Sequence, residues 1–295
     1  MSAPSDNGHG GAYRAAATLA HRAQPSILRA WRAQVLASAR DCTRQTARPG
    51  RACLVLAPHP DDETLGCGAT IARTVAAGGH VEVLIAADGR YSHKDSVVVS
   101  PEVMRDARRE EAVAACAALG VPEHQVLQLG HEDTHLDRSW AALLDAVRDA
   151  LRRVDPDDVY VVSGLDPHPD HRTLNAALHE VRRGDDRPRA VWEYPVWSWI
   201  EGPWFELSQR RPATRALHLV GDPVAASLCA PRPRKVSTAG FLAAKRAGLA
   251  AYRSQMTNLT GEPDWPVMED DVLGLFLGGY EVFLAPPRRA ATTRS

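Results

Sequence analysis

The stretch Cys53-Leu54-Val55-Leu56-Ala57-Pro58-His59-Pro60-Asp61-Asp62-Glu63 joins an apolar run to a histidine and three carboxylates. The apolar run predicts a strand covered on both faces. Thr64-Leu65-Gly66-Cys67-Gly68-Ala69, which follows, predicts the start of a helix of small residues. Desolvating a histidine and three acids at a buried strand end is costly unless a cation or strong donors neutralise them. A metal ion meets that need most simply.

A second cluster of the same design lies downstream, where Val159-Tyr160-Val161-Val162 runs into Ser163-Gly164-Leu165-Asp166-Pro167-His168-Pro169-Asp170-His171. Both clusters follow a strand and precede a helix, the position at which open α/β sheets assemble their sites. Strands are expected at 52–57, 81–86, 125–129, 158–163 and 190–196, and helices at 65–78, 101–119, 139–153, 171–183 and 237–255. Such alternation predicts an α/β fold with a mostly parallel, right-handed sheet flanked by helices. Apolar residues at helical spacing over 13–40, interrupted at Pro25, add an N-terminal helical arm. The expected domain plan is a flexible N-terminus and arm at 1–50, one catalytic domain at 51–285 and a disordered tail at 286–295. Lys235 to Arg253 reads as one helix, and Gly278 to Leu284 as a closing edge strand.

At 295 residues, 44% hydrophobic and a formal net charge of −1, the chain can bury a large core and offers no electrostatic case for nucleic acid or an anionic membrane. Its five cysteines are scattered, which suits reduced thiols and a cytoplasmic location. No stretch reads as a signal peptide or reaches membrane-spanning length. The expected partner is a small molecule, and the oligomeric state is not legible.

His59 and Asp62 stand at i and i+3, able to offer an imidazole nitrogen and a carboxylate oxygen to a divalent cation. Catalytic zinc usually takes three protein ligands, and His171 can supply the third. Asp61 is then free to accept a proton from water, and His168 to donate to an oxyanion or leaving group. The donor set suits Zn2+, while Fe2+ or cobalt could occupy the same ligands.

With Leu65-Gly66-Cys67-Gly68 after the first cluster, and His168-Pro169-Asp170-His171 in the second, residues 52–260 resemble the PIG-L (LmbE-like) zinc-dependent de-N-acetylases. The resemblance implies a Rossmann-like fold and removal of acetate from an N-acetylglucosamine-type conjugate. It also implies His59, Asp62 and His171 as metal ligands, Asp61 as general base and His168 as electrophilic histidine. Arg108 and Glu111 match the family's Arg-x-x-Glu helix, and Asp133 its substrate-binding aspartate; an ordinary surface pair is the plainer reading of Arg108 and Glu111. The chain departs from the pattern at Asp166, where some members carry a tyrosine, and a carboxylate there is suited to orienting His168.

His131-Glu132-Asp133-Thr134-His135 matches the zincin pattern letter for letter, but that chemistry needs a helix, and this segment follows a strand and Gly130. A loop forming one wall of the cleft is expected instead. The segment from Trp192 to Phe205 is rich in aromatics, and Trp197 is the candidate to face a pyranose or aglycone; core packing is the plainer alternative. Gly66-x-Gly68 lacks the third glycine of a dinucleotide fingerprint. The sequence is read as that of a metal-dependent N-deacetylase of an amino-sugar conjugate, with bacterial natural-product or glycoconjugate biosynthesis as the expected setting. A metal-dependent amidase of a larger sugar conjugate and a non-catalytic sugar-binding module are the alternatives.

Overall fold

The structure is a computed structural model that describes residues 25–185, 187, 189–202 and 233–284. Five parallel strands form its centre: β2 (Ala52–Ala57), β3 (His80–Ala87), β4 (Val126–His131), β5 (Asp158–Val162) and β6 (Ala190–Tyr194), in the order β4-β3-β2-β5-β6. β2 and β5 are almost wholly buried apolar strands, as a sheet covered on both faces requires. The chain leaves β2 toward β3 on one side and returns through β5 on the other, so β2 and β5 flank the topological switch point. Both acidic motifs begin there, at neighbouring C-terminal strand ends.

The flanking helices are α1 (25–38), α2 (Thr43–Thr46), α3 (Asp62–Ala76), α4 (Pro101–Ala118), α5 (Trp140–Val154), α6 (Pro169–Val181), α7 (Trp197–Glu201), α8 (Leu242–Ala251), α9 (Arg253–Met256) and α10 (Asp270–Phe276). The five expected strands and the helices of the central unit stand within a few residues of their expected limits. β6 stops at Tyr194 because Pro195 has no N–H for the ladder.

The C-terminal part departs from expectation. Lys235 to Ser237 do not open a helix; they belong to β7 (Arg234–Ser237), parallel to β1 (Arg40–Asp41) and antiparallel to β8 (Tyr280–Phe283). Partners that distant in sequence leave no local signal in four residues. The helix begins only at Leu242 and breaks at Tyr252. The edge strand expected at 278–284 is present as β8, and the arm expected over 13–40 is helical from Pro25, with residues 13–24 outside the described residues. Leu28, Trp31 and Val35 of α1 are buried in the common core. Trp31 meets Trp199 edge-on at 5.3 Å, and the Arg32 guanidinium donates to the carbonyls of Trp199 and Ile200.

Helix α3 carries the first motif and is kinked at Cys67, whose φ of −143° is not helical. The kink frees the Leu65 carbonyl, which accepts from Lys245 Nζ at 2.7 Å. The second half needs a new N-terminal cap, and Glu281 of β8 supplies it, accepting from the N–H groups of Ala69 and Thr70 at 2.8 Å each and from Thr70 Oγ1. Lys245 and Glu281 pair at 2.7 Å with both side chains 1% exposed, so each neutralises the other. Gly66 is required for a different reason: a Cβ there would stand 2.1 Å from the Tyr194 ring, which is fixed by its hydroxyl donating to Leu56 O at 2.8 Å.

Two stability predictions follow from this packing. Gly66→Ala is expected to cost at least about 1–3 kcal/mol, because a buried, tethered ring must move. Glu281→Ala should cost about 3–5 kcal/mol by leaving Lys245 charged and unpaired in the interior. Urea unfolding followed by circular dichroism measures both, and a wild-type midpoint for either variant would contradict the packing described.

Candidate metal centre

The turn after β2 packs its polar groups inward because the Asp62 carboxylate folds back to accept from the backbone N–H of His59 at 3.0 Å. Its Oδ2 lies 3.3 Å from His59 Nδ1 and 3.3 Å from His171 Nε2, and the two nitrogens lie 3.3 Å from each other. These atoms form an equilateral triangle. Ligands about 2.0–2.1 Å from a tetrahedral zinc stand roughly 3.3–3.4 Å apart, so the triangle has the dimensions of one face of such a coordination sphere. Three converging donors, two of them buried and His59 13% exposed, fit a small divalent cation.

The remaining ring nitrogens support that fit. His59 Nε2 lies 3.1 Å from Asp170 Oδ2 and 3.3 Å from Asp133 Oδ1, and His171 Nδ1 lies 2.9 Å from Asp166 Oδ2. A proton held on those outer nitrogens leaves the inner nitrogens as lone-pair donors, the arrangement that orients metal-binding imidazoles. The expectation for Asp166 needs correction: its partner is His171, not His168. It also accepts from the N–H groups of Val196, Trp197 and Ser198 and from the Ser198 hydroxyl, which ties the start of α7 to His171.

Two wider groupings share His59. One ligand atom each from His59, His168 and His171, and from His59, Asp133 and Asp170, lie within 4.8 Å of one another. In the second, both Asp170 oxygens accept backbone N–H groups, from Thr134 and Leu136, and Asp133 accepts that of Tyr91. Those carboxylates are engaged in fixing the β4 loop. In the first, His168 Nδ1 accepts from Asp170 N at 3.2 Å, so a neutral ring carries its proton on the outward Nε2.

Charge separates the three imidazoles. Burial alone would lower His171, but the Asp62 and Asp166 carboxylates outweigh it and raise the ring to about 9. His59 is likewise largely buried and is raised by hydrogen bonds to Asp133, Asp170 and Asp62. His168 is pushed down to about 4 by burial and by the neighbouring His59 and His171. Burial works against the Asp62 carboxylate too, yet His171 and His59 hold it well below the usual range.

Asp61 stands apart from the triangle. Burial raises it to about 6, against the pull of Arg108, whose Nη2 lies 3.0 Å from its carboxylate. Its backbone has φ 117° and ψ −29°, a conformation that costs a non-glycine residue roughly 1–3 kcal/mol. Arg108 is 2% exposed and also donates to Pro60 O, while its Nε and Nη1 have no hydrogen-bond partner among the described residues. The surface-pair reading of Arg108 and Glu111 is therefore replaced by a buried one: Glu111 accepts from Ser254 N and Oγ at 2.7 Å each.

Of the aromatic segment, Trp192 and Tyr194 belong to the core and Trp199 packs on Trp31. Trp197 is 38% exposed and lies nearly parallel to His168, with ring centroids 6.5 Å apart. Trp204 and Phe205 lie outside the described residues. The zincin-like segment is a strand end and loop, as expected, with His131 closing β4 and Asp133 turned toward His59. Sequence reasoning missed Tyr252, whose hydroxyl donates to Glu63 at 2.6 Å, because nothing local marks it. Asp170 was within reach, standing between two assigned histidines.

Residues 54–181 match the model of the PIG-L family, described as GlcNAc-PI de-N-acetylase. A 1D-myo-inositol 2-acetamido-2-deoxy-alpha-D-glucopyranoside deacetylase of Kribbella flavida is 31% identical over 214 residues, covering 59% of this chain and 68% of the relative. The chain belongs to the PIG-L (LmbE-like) de-N-acetylase family. A deacetylase of the same name from Salinispora arenicola is 32% identical over 156 residues, 44% of this chain, and the match spans about half of that relative, 49%. In fold, the PIG-L chain resembles the teicoplanin deacetylase Orf2 in its zinc-inhibited form, with a TM-score of 0.59 at 16% identity, covering 81% of this chain and 99% of the other. The matched family segment contains both motifs but ends before Lys245, Tyr252 and Glu281.

Because His59 and His171 are both raised by their carboxylates, a cation entering the triangle must displace protons from them. Apparent affinity for Zn2+ should therefore fall as pH falls, by at least about tenfold per pH unit between pH 8 and 6. Competition with a chromophoric chelator at both pH values, with proton release recorded, checks this. Affinity independent of pH would show that the imidazoles are not the ligands.

Proposed function

We propose that this PIG-L protein is a divalent-cation-dependent hydrolase that removes the N-acetyl group from an N-acetylglucosamine-type sugar conjugate, releasing the free amine and acetate. The observation that carries the reading is the 3.3 Å triangle of His59 Nδ1, Asp62 Oδ2 and His171 Nε2, with Asp61 and His168 beside it. We assign His59, Asp62 and His171 as the ligands, with zinc as the first metal to test and ferrous iron as the second. A cation held there acts as a Lewis acid, polarising the amide carbonyl and acidifying water.

Asp61 is the general base. With its carboxylate raised to about 6, it is ionised at neutral pH yet basic enough to take a proton from the attacking water. His168, lowered to about 4, stays neutral, and its Nε2–H donates to the oxyanion that forms as water adds to the amide carbon. The proton held by Asp61 passes to the departing nitrogen, and the C–N bond breaks to leave acetate and amine. Trp197, 38% exposed, offers a flat apolar face beside His168 for the sugar or its aglycone.

The names of the sequence relatives make an inositol glycoside of N-acetylglucosamine the first substrate to try, and the likeness in fold to a teicoplanin deacetylase adds acylated glycopeptides to the panel. We place the enzyme in the cytoplasm. Four described cysteines are free and buried, and no described helix is long and apolar enough to cross a membrane.

Purified enzyme, its metal content determined, should release amine from at least one N-acetylglucosaminide, lose that activity to a chelator and regain it with Zn2+. Asp61→Ala is expected to lower kcat by about 10²–10⁴ with metal retained. Wild-type kcat should fall as pH drops below 6, where Asp61 takes up its proton. Stoichiometric metal with no acetamido sugar cleaved would sink the substrate class, and failure to bind metal would sink the reading as a whole.

A further inference from the structure

We infer that Glu63 and Tyr252 clamp the Pro60–Asp61 peptide group, which makes both of them positioning residues for the base; the inference rests on Asp61 having that role.

Asp61 is one of three non-glycine residues with positive φ among the described residues, and at 117° it is the farthest from ordinary backbone. Glycine would adopt that conformation freely but could not supply a carboxylate. The conformation must therefore be imposed from outside, and φ at Asp61 is set by how the preceding peptide plane is turned. Both ends of that plane are held. Its carbonyl, on Pro60, accepts from the Arg108 guanidinium, and its N–H, on Asp61, donates to Glu63 Oε2 at 3.1 Å. A cation on the oxygen and a carboxylate on the N–H follow the polarity of the peptide dipole. The other torsion is fixed as well, because Asp61 O accepts from Thr64 N at 3.0 Å and Leu65 N at 2.8 Å as α3 begins.

Tyr252 touches both halves of the clamp. Its hydroxyl donates to Glu63 Oε1 at 2.6 Å, and its ring lies under the Arg108 guanidinium, 5.4 Å from ring centroid to Cζ. Thr64 Oγ1 donates to the same Glu63 oxygen. Glu63 and Tyr252 are both fully buried, and neither makes a hydrogen bond or ion pair with the triangle of His59, Asp62 and His171, so coordination does not account for them. Tyr252 sits at the break between α8 and α9, and Glu111 anchors the next turn through Ser254. The break thus presents the hydroxyl upward beneath the motif, where an uninterrupted helix would carry it past. A segment outside the matched family region holds the backbone of the base from below.

The test compares Tyr252→Phe, Glu63→Gln and Asp61→Ala, alone and as the pair Tyr252→Phe with Asp61→Ala, on the acetamido sugar that wild-type enzyme cleaves fastest. Removing only the Tyr252 hydroxyl should lower kcat by about ten- to a hundredfold, as misplacement of a reacting group does. KM, zinc content and thermal midpoint should stay near wild type, and Glu63→Gln should give a similar split. In the Asp61→Ala background, Tyr252→Phe should have no further effect on residual turnover. Full kcat in Tyr252→Phe, with Asp61→Ala inactive, overturns the clamp and leaves the proposed function standing. An equal loss with and without Asp61 also overturns it, since the effect then does not pass through the base. Undiminished turnover in Asp61→Ala overturns the assignment of the base and the inference with it.

Discussion

Four buried aspartates gathered around two imidazoles, with a fifth set on a buried guanidinium, are the constraint on which the rest of this structure depends. Asp61, Asp62, Asp133, Asp166 and Asp170 are each no more than 9% exposed. Carboxylates removed from water must be given donors or a cation, and here both means are used. The donors come from four of the five strand ends at this edge of the sheet: the N–H groups of His59 after β2, Tyr91 after β3, Thr134 and Leu136 after β4, and Val196, Trp197 and Ser198 after β6. The loops are ordered by the charges they neutralise, so forming the site and folding its walls are one event. What the donors leave uncompensated is the triangle itself, where a cation fits.

The same constraint divides the labour among chemically similar groups. His59 and His171 have carboxylates on their outer nitrogens and favour a charge at the centre, whereas His168 has only a backbone N–H and two imidazole neighbours, which keep it neutral. Asp62 is paired with both His59 and His171 and has little basicity to spare. Asp61, one residue earlier, faces a single guanidinium and keeps a proton affinity useful near neutrality. Environment rather than residue type distinguishes the groups for which we propose the roles of ligand, base and donor.

The chain's C-terminal part supports the motif from beneath without touching the ligand atoms. Lys245 and Glu281 resolve the kink in α3, Tyr252 holds Glu63, and Ser254 holds Glu111. Each is a buried polar group satisfied across more than thirty residues of sequence separation, which links completion of the site to closure of the small β1-β7-β8 sheet. Of these contacts, the one from Tyr252 reaches the strained turn, through the Glu63 carboxylate that accepts from Asp61 N.

The sequence by itself determined the parallel sheet, the two strand-end motifs and the residues brought together there, because unbroken apolar runs and clustered acids are local signals with few physical outcomes. It also sufficed to reject a zincin helix at His131 and to place Asp133 at the cleft. Tertiary structure alone decided the partner of Asp166, the engagement of Arg108 with Asp61, the division of the aromatic segment between core and site, and the strand at Arg234–Ser237. Each of these depends on which distant group completes a hydrogen bond or covers a face. Tyr252 is the clearest case: in the sequence it is an apolar position on a helix, and only the break after Ala251 and the burial of Glu63 give its hydroxyl a role. Local patterning says which groups must be neutralised, and only the folded chain decides what neutralises them.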